Sequence, residues 1–135
     1  MITGFPISAK LPDELGLGER FWYWRGVSGR TYIHSIYSRE SCPPLPGAVF
    51  LVVRKVDGLR KALAVGRFSE SFDRALAELA SFSVSCEIHV HLLARDAASA
   101  RAVLEDLSNA FDDRVEAGCD VQSFSEATQQ VLVPA

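Results

Sequence analysis

The chain has 135 residues, of which 48% are hydrophobic and 23% are charged, and its 14 basic and 17 acidic residues give a formal net charge of -3. This composition excludes an intrinsically disordered chain, and the length predicts a single domain over 1–135. The net charge excludes a uniformly basic surface, so any contact with phosphate must be local.

The first part of the chain predicts an arm followed by a hairpin. Residues 1–20 are punctuated by glycine and proline, which predicts an N-terminal arm. Two aromatic and β-branched runs, 21–27 and 30–37, predict the hairpin. Alternation places Trp22 and Trp24 on one face of the first run. On that face the two tryptophans could pack in a core or stack on nucleic-acid bases, and packing in a core is the favoured interpretation.

The middle of the chain predicts a second hairpin and a helix. Apolar runs over 48–55 and 59–66 flank Asp57 and Gly58, a pair typical of a tight hairpin turn. After Ser69, which suits a helix N-cap, the apolar residues follow helical spacing. The sequence therefore predicts a helix directly after this hairpin.

The last part predicts a strand and a second helix. Residues 84–94 alternate between apolar and polar side chains, as in a half-buried strand. Asp96 suits the N-cap of a helix that ends before Gly118, and within 119–135 a short strand fits 131–133. The sum predicts an α+β fold, with a small, mostly antiparallel central sheet and helices packed on it.

The cysteine content and the N-terminus bear on the compartment. Cys42, Cys86 and Cys119 are widely spaced and odd in number, which indicates reduced thiols rather than a disulfide framework. The N-terminal sequence has no secretory pattern, and no apolar run is long enough to span a bilayer. These features predict a cytoplasmic protein that does not enter membranes.

Residues 46–112 resemble the GIY-YIG nuclease domain. The family has a hairpin with two signature tripeptides, then a helix with an arginine, a strand, and a late helix with a glutamate. The tripeptides would fall on 48–50 and 64–66, the arginine on Arg74 and the glutamate on Glu105. The remaining chain would form an N-terminal arm over 1–20, a hairpin extension with a proline-rich loop over 21–45, as in some bacterial relatives, and a tail over 113–135.

The resemblance implies a damaged active site. In the family a signature tyrosine activates water, the arginine steadies the phosphate, and the glutamate binds one Mg²⁺ or Mn²⁺ ion. Phe50 and Ala64 replace the two signature tyrosines and can neither accept nor donate a proton. Arg74 and Glu105 would remain as the remnant site, with Glu105 as the metal ligand, and should line one pocket on the sheet.

This resemblance implies a binding module for nucleic acid or protein without nuclease activity; the alternative is a weak metal-dependent endonuclease that cleaves DNA. A plainer interpretation is also open for both remnant residues. Arg74 lies four residues from both Glu70 and Glu78, and Glu105 lies four from Arg101, as in surface ion pairs on a helix.

The second hairpin is locally basic, with a single aspartate at its turn. Its cations could contact DNA, or they could protect an edge strand from aggregation, and the acidic net charge also suits a protein partner or self-association. The candidate nucleic-acid-binding residues are Arg54, Lys55, Arg60, Lys61 and Arg67.

Three polar side chains alternate along the predicted strand 84–94. Glu87, His89 and His91 share one face, a spacing that could supply zinc ligands if a fourth arrived from elsewhere. The favoured alternative is a polar strand face covered by a helix or by solvent.

Overall fold

The computed structural model describes residues 2–6 and 20–112 of the chain. These ranges contain six strands and two helices. In chain order they are β1 (Gly4–Pro6), β2 (Phe21–Arg25), β3 (Thr31–Ser38), β4 (Val49–Val56), β5 (Leu59–Arg67), α1 (Phe72–Ala80), β6 (Glu87–His91) and α2 (Ala97–Asp112).

The strands form one antiparallel sheet in the order β1-β2-β3-β6-β4-β5. Both predicted hairpins are confirmed, as β2–β3 and β4–β5. Asp57 and Gly58 both have positive φ, 54° and 78°, which is the backbone of a two-residue turn whose twist matches its strands. The structure is therefore a small α+β fold built on an antiparallel sheet, as predicted.

The two helices pack on opposite faces of this sheet. Successive residues of β4 alternate between the faces: Phe50 and Val52 lie in the core beneath α1, and Val49, Leu51 and Val53 lie in the core beneath α2. The strand is buried on both faces because a helix covers each one. Helix α1 contributes Ala75 and Leu79, and α2 contributes Ala100, Val103, Leu107 and Phe111.

The sheet curls toward the face that carries α2. Arg60 extends from β5 until its guanidinium lies 4.8 Å from the ring centre of Trp22 on β2, although β4, β6 and β3 separate these strands in the sheet. Such a contact requires the α2 side to be concave. The concave face therefore collects side chains from both ends of the sheet.

Several local predictions need correction. β1 falls within the predicted arm, where three residues pair with β2. Ser71 rather than Ser69 caps α1, because the Ser71 side chain accepts from the Arg74 backbone N–H. β6 is shorter than the predicted strand 84–94, and it is buried on both faces rather than one. The predicted strand 131–133 and the end of the last helix near Gly118 lie outside the described residues.

Two further expectations concern thiols and membranes. Cys42 and Cys86 are free and buried, and burial raises the pKa of the Cys42 thiol to about 11, so this thiol is unreactive. In the part of the chain that the structure describes, neither helix has the length and apolar character needed to cross a bilayer.

Candidate functional site

Arg74 and Glu105 are not brought together. Arg74 is exposed on α1, which packs on one face of the sheet, and Glu105 is exposed on α2, which packs on the other. The sheet therefore separates the two side chains. The shared pocket expected for a remnant phosphate and metal site is not formed by these residues.

The two positions that would carry the signature tyrosines lie in the core beneath α1. Phe50 and Ala64 are both 0% exposed. The Phe50 ring centre lies 4.3 Å from that of Phe68 and 5.3 Å from that of Phe82. A phenol at either position would be shielded from solvent, and from any substrate outside the core.

The five residues of the predicted basic set lie in three separate places. Arg54, Lys55 and Lys61 are exposed near the β4–β5 turn. Arg60 instead turns onto the concave face, where its side chain is 3% exposed. Arg67 lies at the far end of β5, away from the turn.

One face of the exposed end of this hairpin carries four side chains, which we call the hairpin tip: Arg54, Val56, Leu59 and Lys61. Arg54 pairs with Lys61 and Val56 pairs with Leu59 across the strands, so the four side chains share one face. Val56 is 55% exposed and Leu59 is 75% exposed. The tip therefore presents two cations beside two uncovered apolar side chains.

Arg67 lines a cleft at the opposite end of the hairpin. The cleft has a volume of about 480 Å³ and is also lined by Glu70, His91, Arg95 and Asp96. The Arg67 guanidinium donates to the Gly47 carbonyl at 2.8 Å and to Glu70 at 2.8 Å. Arg67 is thus held by acceptors of the protein itself and does not extend the hairpin tip.

The concave face contains a hydrogen-bonded network around Glu87. The Arg60 guanidinium donates to both carboxylate oxygens of Glu87, at 2.7 and 3.1 Å. Trp24 donates its indole N–H to His89 Nδ1 at 3.0 Å, so His89 carries its proton on Nε2 and donates it to Glu87 at 3.0 Å. Burial alone would raise the pKa of Glu87, but the hydrogen bonds from His89 and Arg60 outweigh it and hold the pKa at about 2.

The predicted zinc ligands are engaged in other contacts. Both ring nitrogens of His89 are used, and His91 donates Nδ1–H to the Ile33 carbonyl at 2.7 Å. Within residues 2–6 and 20–112, no three His, Cys, Asp or Glu side chains are grouped as a metal site would require. The favoured alternative was a polar strand face covered by a helix or by solvent; the face is covered, but Trp24 of β2 and Arg60 of β5 contact it.

The histidines of this face make stability sensitive to acid. Burial lowers the pKa of His34 well below its ordinary value and also lowers that of His89. Because the unfolded chain takes up these protons first, we expect stability to be fully present above about pH 6.5 and to fall as the pH decreases, by up to ~1.4 kcal/mol per pH unit for each histidine. Chemical denaturation at pH 7 and pH 5 measures this loss.

A variant isolates the contribution of His34. The His34 Nδ1–H donates to the Tyr32 carbonyl at 2.9 Å. The shorter amide side chain of asparagine can keep that hydrogen bond but does not titrate. His34→Asn should therefore reduce the dependence of stability on pH in this range. An unchanged pH dependence in His34→Asn would contradict the assignment.

Asp106, next to the predicted metal ligand, has a role that the sequence did not reveal. Its carboxylate accepts from the Ser28 backbone N–H at 2.8 Å, from the Ser28 hydroxyl at 2.6 Å and from the Tyr32 hydroxyl at 2.7 Å. Burial raises the pKa of this carboxyl, but the bonds from Ser28 and Tyr32 outweigh burial and lower it. Asp106 therefore fastens the β2–β3 hairpin to α2.

Glu105 and Asp106 provide a matched pair of substitutions. We expect Asp106→Ala to destabilise the domain by about 2 kcal/mol, because three donors lose a charged acceptor. We expect Glu105→Ala to change stability by less than about 0.5 kcal/mol, because the side chain is exposed. Urea denaturation of both variants checks this order, and equal losses would contradict it.

Comparison of the chain with models of known families, with curated proteins and with solved structures finds no match.

Proposed function

We propose that this protein is a nucleic-acid-binding module without nuclease activity, which contacts phosphates through the hairpin tip. The observation that carries the proposal is the exposed cross-strand pair Arg54 and Lys61, at the exposed end of a hairpin that is buried over 49–53 and 62–65. Two cations on neighbouring strands fit successive phosphates of one backbone.

The positions of the remnant residues support the absence of cleavage. Hydrolysis of a phosphodiester needs a water activator, a metal ion and a cation at one phosphate. Arg74 and Glu105 lie on helices that pack on opposite faces, and Phe50 and Ala64 are within a core. This arrangement favours binding over the alternative of a weak endonuclease.

The apolar part of the hairpin tip supports contact with a groove as well as with phosphates. Val56 and Leu59 lie beyond the cation pair, at the end of the hairpin. Apolar side chains at the end of a narrow β-ribbon can contact sugar and base edges while the cations beside them hold the backbone. The hairpin tip therefore combines the cations and the apolar side chains that a small nucleic-acid contact needs, although the chain as a whole is acidic.

The proposal predicts a specific loss of binding. Fluorescence anisotropy with labelled DNA of about 20 nucleotides, single-stranded and duplex, should detect binding at low salt. The double variant Arg54→Ala/Lys61→Ala should weaken binding to both and reduce the slope of log affinity against log salt by about 1.4 for the single strand and about 1.8 for the duplex, because each lost contact removes about 0.7 or 0.9.

A control of equal charge makes this result specific. Arg95→Ala/Arg101→Ala removes two exposed arginines at the start of α2 and should leave the slope near that of the unmodified protein. Absence of binding to either DNA at low salt would contradict the proposal. Equal weakening by both double variants would contradict the assignment to the hairpin tip.

A further inference from the structure

A second surface has the chemistry of a nucleic-acid contact. We propose that the face of β1, β2 and β3 on the α1 side of the sheet is a stacking platform for single-stranded nucleic acid. This inference rests on the proposed function, but it concerns other residues and another form of the ligand. We call this surface the aromatic platform; its residues are Phe5, Phe21, Tyr23, Arg25 and Ile33.

The aromatic platform is a sheet face that neither core includes. Strand register places Phe5, Tyr23 and Ile33 in one row across β1, β2 and β3. The core beneath α1 is built on β4, β5 and β6 and reaches β3 at Tyr37, and the described residues of the two cores do not include this row. Its three side chains are partly exposed. Within residues 2–6 and 20–112 no helix packs on this row, and a sheet face with exposed aromatic rings is a form that base-stacking surfaces take.

The rings of the platform are held in place by neighbouring side chains. The centres of Phe5 and Tyr23 are 5.4 Å apart, with 26° between their planes. The guanidinium of Arg25 lies 5.2 Å from the centre of the Phe5 ring, although the residue is exposed. Neighbouring side chains thus restrict both rings before any ligand arrives, which lowers the entropy lost on binding.

Charge around the platform selects an anionic partner. Residues 20–39 contain four arginines, at positions 20, 25, 30 and 39, and neither aspartate nor glutamate, whereas the whole chain has a net charge of -3. Arg20, Arg25 and Arg30 are exposed, and Asp106 of α2 lies near Arg30. Aromatic rings with arginines beside them fit unpaired bases and their phosphates, and an acidic protein segment would use only the arginines.

Single strands fit this surface better than duplexes. The bases of a duplex are stacked on each other, so their faces are not available to Phe5 and Tyr23. Each base stacked on a protein ring contributes enough that loss of the ring lowers affinity about 5-fold to 150-fold. The platform should therefore make the protein prefer a single strand, whereas the hairpin tip contacts both forms.

Anisotropy with labelled oligothymidylate of about 15 nucleotides, and with a duplex of equal length, tests this preference. We expect Tyr23→Ala and Tyr23→Leu to weaken single-strand binding at least 5-fold, and Tyr23→Phe to restore it. Duplex binding should change less than 2-fold. Tyr23→Leu keeps an apolar contact with Phe5, so it also protects the test against misfolding of the alanine variant.

The outcomes separate the two proposals. Suppose that the unmodified protein binds DNA, and that Arg54→Ala/Lys61→Ala weakens this binding whereas Tyr23→Leu does not. The platform proposal is then wrong, and the hairpin-tip proposal is supported. If the unmodified protein binds no nucleic acid, both proposals fail. Unlabelled polyglutamate of equal length should compete less well than unlabelled oligothymidylate. If it competes equally well, the platform proposal is also overturned, because charge alone would then be recognised.

Discussion

Ala64→Tyr, which replaces one missing signature phenol, is expected to destabilise the domain by at least ~3 kcal/mol rather than to create a nuclease. Ala64 is 0% exposed and lies in the core that contains Val52, Ile88 and Leu79. A phenol ring has no space there, and its hydroxyl would be buried as well. Thermal and urea denaturation measure the loss, which is a large part of the stability of an ordinary small domain.

Two related variants serve as comparisons for Ala64→Tyr. Phe50→Tyr should cost about 1 to 3 kcal/mol, because it adds a buried hydroxyl beside Phe68 and Phe82. Ala77→Tyr, at an exposed position of α1, should change stability by less than about 1 kcal/mol. An Ala64→Tyr protein with unchanged stability and metal-dependent nicking would contradict the placement of this residue in the core.

Trp24→Ala is expected to cost about 3 to 5 kcal/mol. Trp24 is 1% exposed, its indole N–H is bonded to His89, and a Cβ atom added to Gly4 would lie 2.6 Å from its ring. The indole is thus enclosed by β1, β6 and the core beneath α2. Removal of the indole leaves a cavity and leaves the His89 imidazole without its hydrogen-bond donor. Urea denaturation measures the combined loss of stability.

The two tryptophans allow a sharper comparison. Among the described residues, the Trp22 indole N–H has no hydrogen-bond partner, whereas the Trp24 indole N–H has one. Trp24→Phe should therefore cost more than Trp22→Phe by about 1 kcal/mol, since only the first loses a hydrogen bond. A larger loss at Trp22 would contradict the hydrogen-bond assignment on the concave face.

The sequence predicted the local structure better than its arrangement. Asp57 and Gly58 specify the β4–β5 turn, and Asp96 accepts from the Ser99 backbone N–H at 2.7 Å as the predicted cap of α2. The sequence did not predict β1, because a strand of three residues is too short to show an alternation of apolar and polar side chains. The burial of His89 and His91 was missed because burial of polar side chains depends on partners from other strands.

The separation of Arg74 from Glu105 could have been anticipated. Helical spacing shows which side of a helix is apolar, but it does not show which face of a sheet the helix covers. The run 48–53 is apolar at every position, a pattern typical of a strand buried on both faces. With two helices available, such a strand implies one helix on each face. This signal points against a single pocket shared by both helices.

The roles of the arginines required the structure. Arg54 and Arg60 occur in the same basic run, yet Arg54 is exposed at the hairpin tip and Arg60 is bound to Glu87. The difference arises because Arg54 pairs with Lys61 and Arg60 pairs with Lys55 across the hairpin, which puts the two arginines on opposite faces, and because the face that carries Arg60 is the concave one. Neither fact can be read from composition.

The central claim is that the protein binds nucleic acid and leaves it intact. Its most direct test is incubation of supercoiled plasmid with the unmodified protein and Mg²⁺ or Mn²⁺ at low salt, followed by electrophoresis before and after removal of the protein. We expect a retarded plasmid that returns to the supercoiled position once the protein is digested. Nicked plasmid that requires the metal ion, and that is no longer formed by Glu105→Ala, would contradict it.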